Sequence, residues 1–462
     1  MECKSYFFGD LVEKWIDNRG KTPPLSETGI PLLEVKHLPE TNLYPKIVGT
    51  KFVDEETYAS WFRAYLEPND ILFSTVGTTA RVVMTPQTET VAIAQNVLGI
   101  RFNKSIVDPW FMFYYMRGKR FQHDIEARLI TTVQASIKRA DMVGIPVLVP
   151  QLDIQKELVH RVINIDHKIQ LNQIINQTLE QMAQALFKSW FVDFEPVKAK
   201  MAVLEVGGSQ ADATLAAMTA ISGKDADALA VFEREHPEHY AELKATAELF
   251  PSAMRESELG EIPEGWGCGS LNDIVTFANG KIDVSSLTPD TYISTENMLE
   301  NRAGISTASS LPSVNSVPEF RYGHVLISNI RPYFKKIWLA RFKGGRSADV
   351  LAFEAKNTVT VEYVYNLLYQ EAFFNFMMLT SKGVKMPRGD KKAIMGWQCV
   401  LPDKKISNAF SKAVCRYYSF IEINNVQNKT LTQLRDTLLP KLLSGEITLP
   451  DAEQAVSEAE NV

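Results

Sequence analysis

The sequence predicts an α+β protein. Two similar mixed α/β globules are separated by two long helices that pair as an antiparallel coiled coil, giving a pseudo-twofold internal repeat. Three observations predict this. A long amphipathic stretch at residues 152–191 recurs at 406–443 under a shift of 252 positions without a gap, so that Pro150 meets Pro402, Ile154 meets Ile406, Ile169 meets Ile421 and Leu186 meets Leu438. The period is about half of the 462-residue chain, which means two copies of one unit and not a solenoid. The segments preceding the two stretches also share a plan of short apolar strands followed by an aromatic helix.

Residues 1–150 read as the first globule. Ile71-Leu72-Phe73, Arg81-Val82-Val83-Met84 and Val97-Leu98-Gly99-Ile100 are short apolar runs punctuated by Gly, Pro and Thr, the signature of strands. Residues 108–125 place Trp110, Phe111, Phe113, Tyr114, Phe121 and Ile125 on one broad helical face. Residues 263–400 repeat the plan. Asp70-Ile71-Leu72-Phe73-Ser74 parallels His324-Val325-Leu326-Ile327-Ser328, and residues 361–378 form the matching aromatic helix. Gly9…Gly20-Lys21 and Gly269…Gly280-Lys281 have the same spacing, while the residues between these anchors differ freely. Residues 151–196 and 401–450 hold the two long helices, and 451–462 read as a tail.

From Val162 the seam positions step by three and four: Ile165, Ile169, Asn172, Asn176, Leu179, Ala183, Leu186, Trp190. The second copy gives Val414, Tyr417, Ile421, Asn424, Asn428, Leu431 and Leu438. This is coiled-coil spacing, and each copy covers the other's apolar stripe if the two pair. Asn172, Asn176, Asn424 and Asn428 stand on the seam. A buried Asn lowers stability but fixes register, because its amide must meet a polar partner. They are candidates for setting the register of the pair; tolerated polar positions on a partly wet seam would look the same.

Between the halves, residues 197–262 are Ala-rich, acidic and bounded by prolines, and read as a connector. A helix within 225–250 would break at Pro237; a partly ordered linker is the simpler expectation. Residues 203–264 carry 13 acidic and 4 basic side chains, a net of −9, so the rest of this −6 chain is at +3. Local charge, not the total, decides what a face attracts. His236 and His239 have no further His or Cys nearby, and no metal is expected there. The four cysteines are scattered without a CxxC pair, as in a reduced cytoplasmic protein. No apolar run is long enough for a membrane span.

No dinucleotide-binding, P-loop or nucleophile-elbow motif occurs. Thr22-Pro23-Pro24-Leu25 is the nearest approach to an amino-methyltransferase motif and lacks both the amide or acid and the aromatic. Glu34-Val35-Lys36 has the residues of a nuclease carboxylate–lysine site, but its counterpart Thr295-Glu296-Asn297 has no lysine. The chain reads as a recogniser or scaffold and not as a catalyst.

The helical sequences carry a resemblance. Pro150-Gln151 followed by Ile154, then Asp166-His167-Lys168-Ile169 and the stretch from Leu179 to Trp190-Phe191, is similar to the central conserved region of the DNA specificity (S) subunits of type I restriction–modification enzymes. Leu434-Arg435-Asp436-Thr437-Leu438-Leu439-Pro440-Lys441-Leu442-Leu443-Ser444-Gly445-Glu446 resembles the C-terminal conserved region. Glu258-Leu259-Gly260-Glu261-Ile262-Pro263-Glu264-Gly265-Trp266 resembles the lead-in to a second target-recognition domain. One departure is Asp403, where the family pattern has Gln after the proline. The resemblance implies two target-recognition domains, each reading half of a split double-stranded DNA site, with the helices fixing the gap. It implies two modification subunits with S-adenosylmethionine for adenine methylation, and restriction/translocase subunits using ATP and Mg. No cofactor is expected in this chain, and no membrane. A stand-alone regulator dimerised by its coiled coil, or a coiled-coil adaptor without DNA, stays open.

Candidate DNA contacts follow from charge and hydrogen-bonding capacity. Phosphate contacts give affinity, base edges give sequence. In the second globule Arg331, Lys335, Lys336, Arg341, Lys343 and Arg346 are interleaved with Tyr333, Phe334 and Trp338 and contain no acid; Arg331 and Arg346 suit bidentate contact with guanine. A solvated basic hairpin has the same composition. Lys385 and Arg388 belong to a second basic stretch with Lys382, Lys391 and Lys392. In the first globule Ser74, Thr78 and Arg81 stand on a turn after a strand, and Gln134, Lys138 and Arg139 precede the helix.

Overall fold

The structure, a computed structural model, describes residues 3–18, 20–40, 42–131, 135–383 and 385–444. The chain divides into two compact units, residues 1–174 with 424–462, and residues 175–423. Each unit therefore holds one globule and part of both long helices.

In the first unit, Cys3–Phe7 pairs antiparallel with Pro146–Pro150, which leads directly into the long helix Leu152–Phe191. A four-stranded sheet runs in the order Val12–Ile16, Val97–Phe102, Ile71–Ser74, Val82–Met84. All residues of its two middle strands are buried, so Ile71-Leu72-Phe73 and Val97-Leu98-Gly99-Ile100 run consecutively apolar and do not alternate. Gly99 is closely packed there, since a Cβ would stand 2.7 Å from the Leu66 side chain and 3.0 Å from Ile16 Cβ. A second sheet adds Ile30–Leu33 between Lys51–Val53 and Ala92–Ile93.

The aromatic helix is two helices, Pro109–Arg117 and Lys119–Glu126, broken at Gly118. Asp108 caps the first, its carboxylate accepting from the N–H groups of Trp110 and Phe111. Gln155, wholly buried at the start of the long helix, locks the three elements together. Its Oε1 accepts from Asp108 N–H at 2.8 Å, and its Nε2 donates to Pro150 O at 2.8 Å and Ile106 O at 3.1 Å.

The second unit repeats this frame. Gly267–Ser270 pairs with Gln398–Leu401 before the long helix Lys404–Ser444, and the main sheet runs Val275–Phe277, Val350–Ala355, Val325–Ser328, Ile337–Leu339. Its parallel pair, Tyr292–Gly345 and Ile293–Arg346, matches Leu32–Ala92 and Leu33–Ile93 of the first unit. The aromatic helix again divides, into Val361–Tyr369 and Glu371–Leu379 at Gln370. Asp403 has a local reason: its carboxylate accepts from Lys405 N–H at 2.6 Å, capping the helix that follows.

Within the first unit the two long helices run antiparallel. Arg435 donates to Asp166 at 2.6 Å, and further along the first helix Asn172 donates to residues earlier in the second, Gln427 at 2.8 Å and Asn428 at 2.9 Å. Within the second unit Phe187 and Trp190 pack on Phe410 with ring centroids 5.7 and 5.9 Å apart. Fully burying such side chains contributes roughly 1.5–3 kcal/mol each. Seam residues such as Val162, Ile165, Trp190, Val414 and Leu438 are thus buried within the chain, while Leu171, Ile174, Phe420 and Ile423 in the middle of the helices stay exposed.

Residues 195–248 depart from a linker. They form four helices, Glu195–Glu205, Gln210–Ser222, Ala226–Glu235 and Pro237–Glu248, the last opening at Pro237. Ala217, Met218, Leu229 and Ala247 make a small core of their own. Lys200 is buried and its Nζ donates to Phe250 O at 2.6 Å. Among the described residues no helix is long and apolar enough to cross a membrane.

Candidate nucleic-acid interface

Both basic stretches of the second globule meet at one place. Arg331 N–H donates to Pro387 O at 2.8 Å, Gly389 N–H donates to Asn329 O at 3.2 Å, and Ile330 and Arg388 form an antiparallel bridge. The junction exposes Arg331, Tyr333, Lys385, Met386 and Arg388. The charges alone did not indicate that the two loops pair, and Met386 joined the site only through that pairing.

The cations in these stretches have unlike fates. Arg346 is 8% exposed, and its guanidinium donates to Val350 O at 2.5 Å and Ala278 O at 2.9 Å. It occupies the strand position that Ile93 holds in the first unit, and burial works against its charge. Arg346 therefore ties strands together and does not reach a base. Arg341 is likewise turned inward: it lies over the rings of Tyr322 and Tyr418, 5.7 and 5.4 Å from their centroids. Lys335 pairs with Glu371 at 2.7 Å, Lys336 donates to Thr295 O at 2.8 Å, Lys343 pairs with Glu319 at 3.3 Å and Arg388 with Asp349 at 3.1 Å. Among the described residues, the side chains of Arg331 and Lys385 are exposed and make no hydrogen bond or ion pair, which leaves their full charge available to an anion.

Corrections also apply to the first globule. Ser74 is fully buried; its hydroxyl donates to Thr78 O at 2.6 Å and accepts from Arg81 N–H at 2.9 Å, closing the turn. Arg81 donates to Leu38 O at 2.9 Å and braces a neighbouring loop. Thr78, Lys138 and Arg139 are exposed, with Arg139 5.8 Å from the Trp15 ring centroid. Gln134 lies outside the described residues. The stretch around Val76 meets that around Ser136 through an antiparallel bridge, as Ile330 meets Arg388 in the second unit. Glu34 pairs with Lys36 and Lys51 at 2.7 and 2.9 Å, which holds its carboxyl at about 2, a surface ion cluster and not a poised base.

On the helices, Asn172 is buried with the two partners given above, while Asn176, Asn424 and Asn428 are partly buried. Each aromatic helix makes a polar contact with its long helix at matching positions. Tyr114 OH donates to Asp166 at 2.7 Å; Asn366 Nδ2 donates to Tyr418 OH at 2.8 Å. Near the second pair, Gln184 bridges Asn366 at 2.6 Å and Glu180 at 3.4 Å. Burial pushes the Glu180 carboxyl up to about 7, against the opposing pull of Gln184, Tyr365 and Arg341.

Residues 4–181 match the family described as type I restriction modification DNA specificity domain. The chain is 28% identical over 412 residues to the type I restriction enzyme HindI specificity subunit of Haemophilus influenzae, covering 83% of this chain and 87% of that one. It is 22% identical over 383 residues to the MjaIX specificity subunit of Methanocaldococcus jannaschii, covering 78% and 76%. A crystal structure of a type I restriction–modification S subunit from M. genitalium aligns at a TM-score of 0.47 with 13% identity, over 96% of both chains. These matches lead to one conclusion: residues 4–181 carry a type I restriction modification DNA specificity domain, and the chain is similar over most of its length to the specificity subunits of type I restriction–modification systems.

Proposed function

We propose that this subunit reads a bipartite, asymmetric site in double-stranded DNA, one half-site per globule from the major groove, and directs adenine methylation and restriction by partner subunits. The observation that carries the reading is the pair of globules with one sheet order and unlike loop tips. Two equal frames with different reading surfaces suit two different half-sites. The number of helical residues between the globules is the chain's own lever on the gap, with half-sites about one helical turn of DNA, roughly 34–36 Å, apart.

The partners are two modification subunits, which bring S-adenosylmethionine, and restriction/translocase subunits, which bring ATP and Mg. The setting is cytoplasmic. Coiled-coil dimerisation of a stand-alone regulator is disfavoured, because the seams of the two helices already pair with each other inside each unit, through Arg435–Asp166 and through the Phe187, Trp190 and Phe410 cluster. Coexpression with the cognate modification subunits and purification on this chain tests the assembly. A stable complex that binds DNA with a steep salt dependence is expected. A monodisperse single chain that binds a specific DNA site without them contradicts it.

A further inference from the structure

Arg331 holds φ 50° and ψ 63°, in the left-handed region, immediately before Pro332. Both circumstances are unfavourable. A side chain with a Cβ rarely adopts that backbone, and a residue preceding proline prefers extended geometry. The first unit shows what the frame requires at this position. Gly77 stands there with φ 81° and open space around its Cα. The hydrogen bonds correspond one to one: Gly77 N–H donates to Ala135 O at 3.0 Å as Arg331 N–H does to Pro387 O, and Ile137 N–H donates to Thr75 O at 2.9 Å as Gly389 N–H does to Asn329 O. The far end of the turn also repeats, with Ala80 at φ 63° and Lys335 at φ 51°. The same entry to the turn therefore carries glycine in one globule and arginine in the other, and the second turn is one residue longer.

Strain retained at only one of two equivalent positions points to a use for the side chain. The guanidinium is exposed and, among the described residues, uncommitted, whereas Lys335, Lys336 and Arg388 beside it are engaged. Its backbone is fixed by the bonds to the second loop, so the fork leaves the surface from a rigid base.

We propose that Arg331 is a specificity-determining residue of the second globule, reading one guanine through N7 and O6 in the major groove. In the first globule the equivalent tip, Gly77-Thr78-Thr79, offers hydroxyls and backbone groups in its place, so the two half-sites are read by different chemistry. The proposal rests on the DNA-reading role given above.

The test is the methylated motif of the whole complex, wild type against Arg331→Gly and Arg331→Lys. Glycine is the residue the turn prefers, so Arg331→Gly keeps the fold and melts at the same temperature or higher. Its expected motif loses one guanine from one half-site, with discrimination at that base reduced about 5- to 150-fold. The other half-site and the gap stay as they were. Arg331→Lys does not restore the guanine, because an ammonium lacks the bidentate fork. An Arg331→Gly motif identical to wild type at every position overturns the proposal. So does full restoration by lysine, which would mean that the bidentate fork is not what reads the base. If the wild-type complex methylates no bipartite site, the DNA-reading role fails and this proposal with it; a bipartite wild-type motif that the glycine variant leaves untouched defeats the proposal alone.

Discussion

Arg331 and Arg346 bound one basic stretch, yet the first is exposed on a strained turn and the second is 8% exposed with its guanidinium on two carbonyls. The difference arises from strand pairing. Arg346 lies in Gly344–Arg346, against Tyr292–Ile293, at a position that is apolar in the other globule. A three-residue strand is too short to show its period in sequence, so the stretch read as uniformly available charge. Ser74 misled in the same way, since a hydroxyl that closes a turn and one that contacts DNA have the same composition. Glu180 is a further residue that sequence left unmarked. Its carboxyl has a pKa of about 7 in the folded protein against 4.5 ordinarily, so the folded state holds the extra proton between those values. Stability is then fully present below about pH 4.5 and falls as pH rises toward 7 and beyond. Glu180→Gln removes the buried charge. At pH 8 it should stabilise the protein by about 1–3 kcal/mol, and at pH 4.5 have little effect. Denaturant melts at the two pH values measure this; equal effects at both would place the carboxylate in water.

At the scale of elements, the long helices were legible because a seam repeated over some forty residues has no other reading, and the shift between copies is free of gaps. The aromatic helices were legible in kind but not in number. Gly118 and Gln370 each end one helix and begin the next, and neither break changes the apolar face that marked the segment. The acidic connector read as linker because its exposed residues dominate the composition, while only a few Ala, Leu and Met side chains build its core. The paired basic loops were not legible, since two main-chain hydrogen bonds between distant segments leave no mark on side-chain chemistry. The seam asparagines give a prediction at this scale. Asn172 has its amide satisfied by Gln427 and Asn428, a polar contact that favours one register at the expense of apolar burial. Replacing Asn172, Asn176, Asn424 and Asn428 together by Leu should raise the melting temperature and cost the protein its single oligomeric state in light scattering. A fall in melting temperature with the state retained would mean the amides serve stability and not register.

For the whole molecule, duplication explains both what repeats and what differs. The order of the main sheet, the entering strand pair and the hydrogen bonds of the loop junction recur in both globules. The contact between aromatic helix and long helix recurs in place but not in chemistry, Tyr114–Asp166 against Asn366–Tyr418. The loop tips differ altogether, Gly77-Thr78-Thr79-Ala80 against Arg331-Pro332-Tyr333-Phe334-Lys335. A frame held constant with tips free to diverge is the arrangement that reads two unlike sequences with one architecture. The most direct measurement is single-molecule sequencing of the methylated genome in a host expressing this chain with its modification subunits. The account predicts one N6-methyladenine motif made of two different half-sites at a constant gap. A palindromic motif, or a single uninterrupted one, would contradict it.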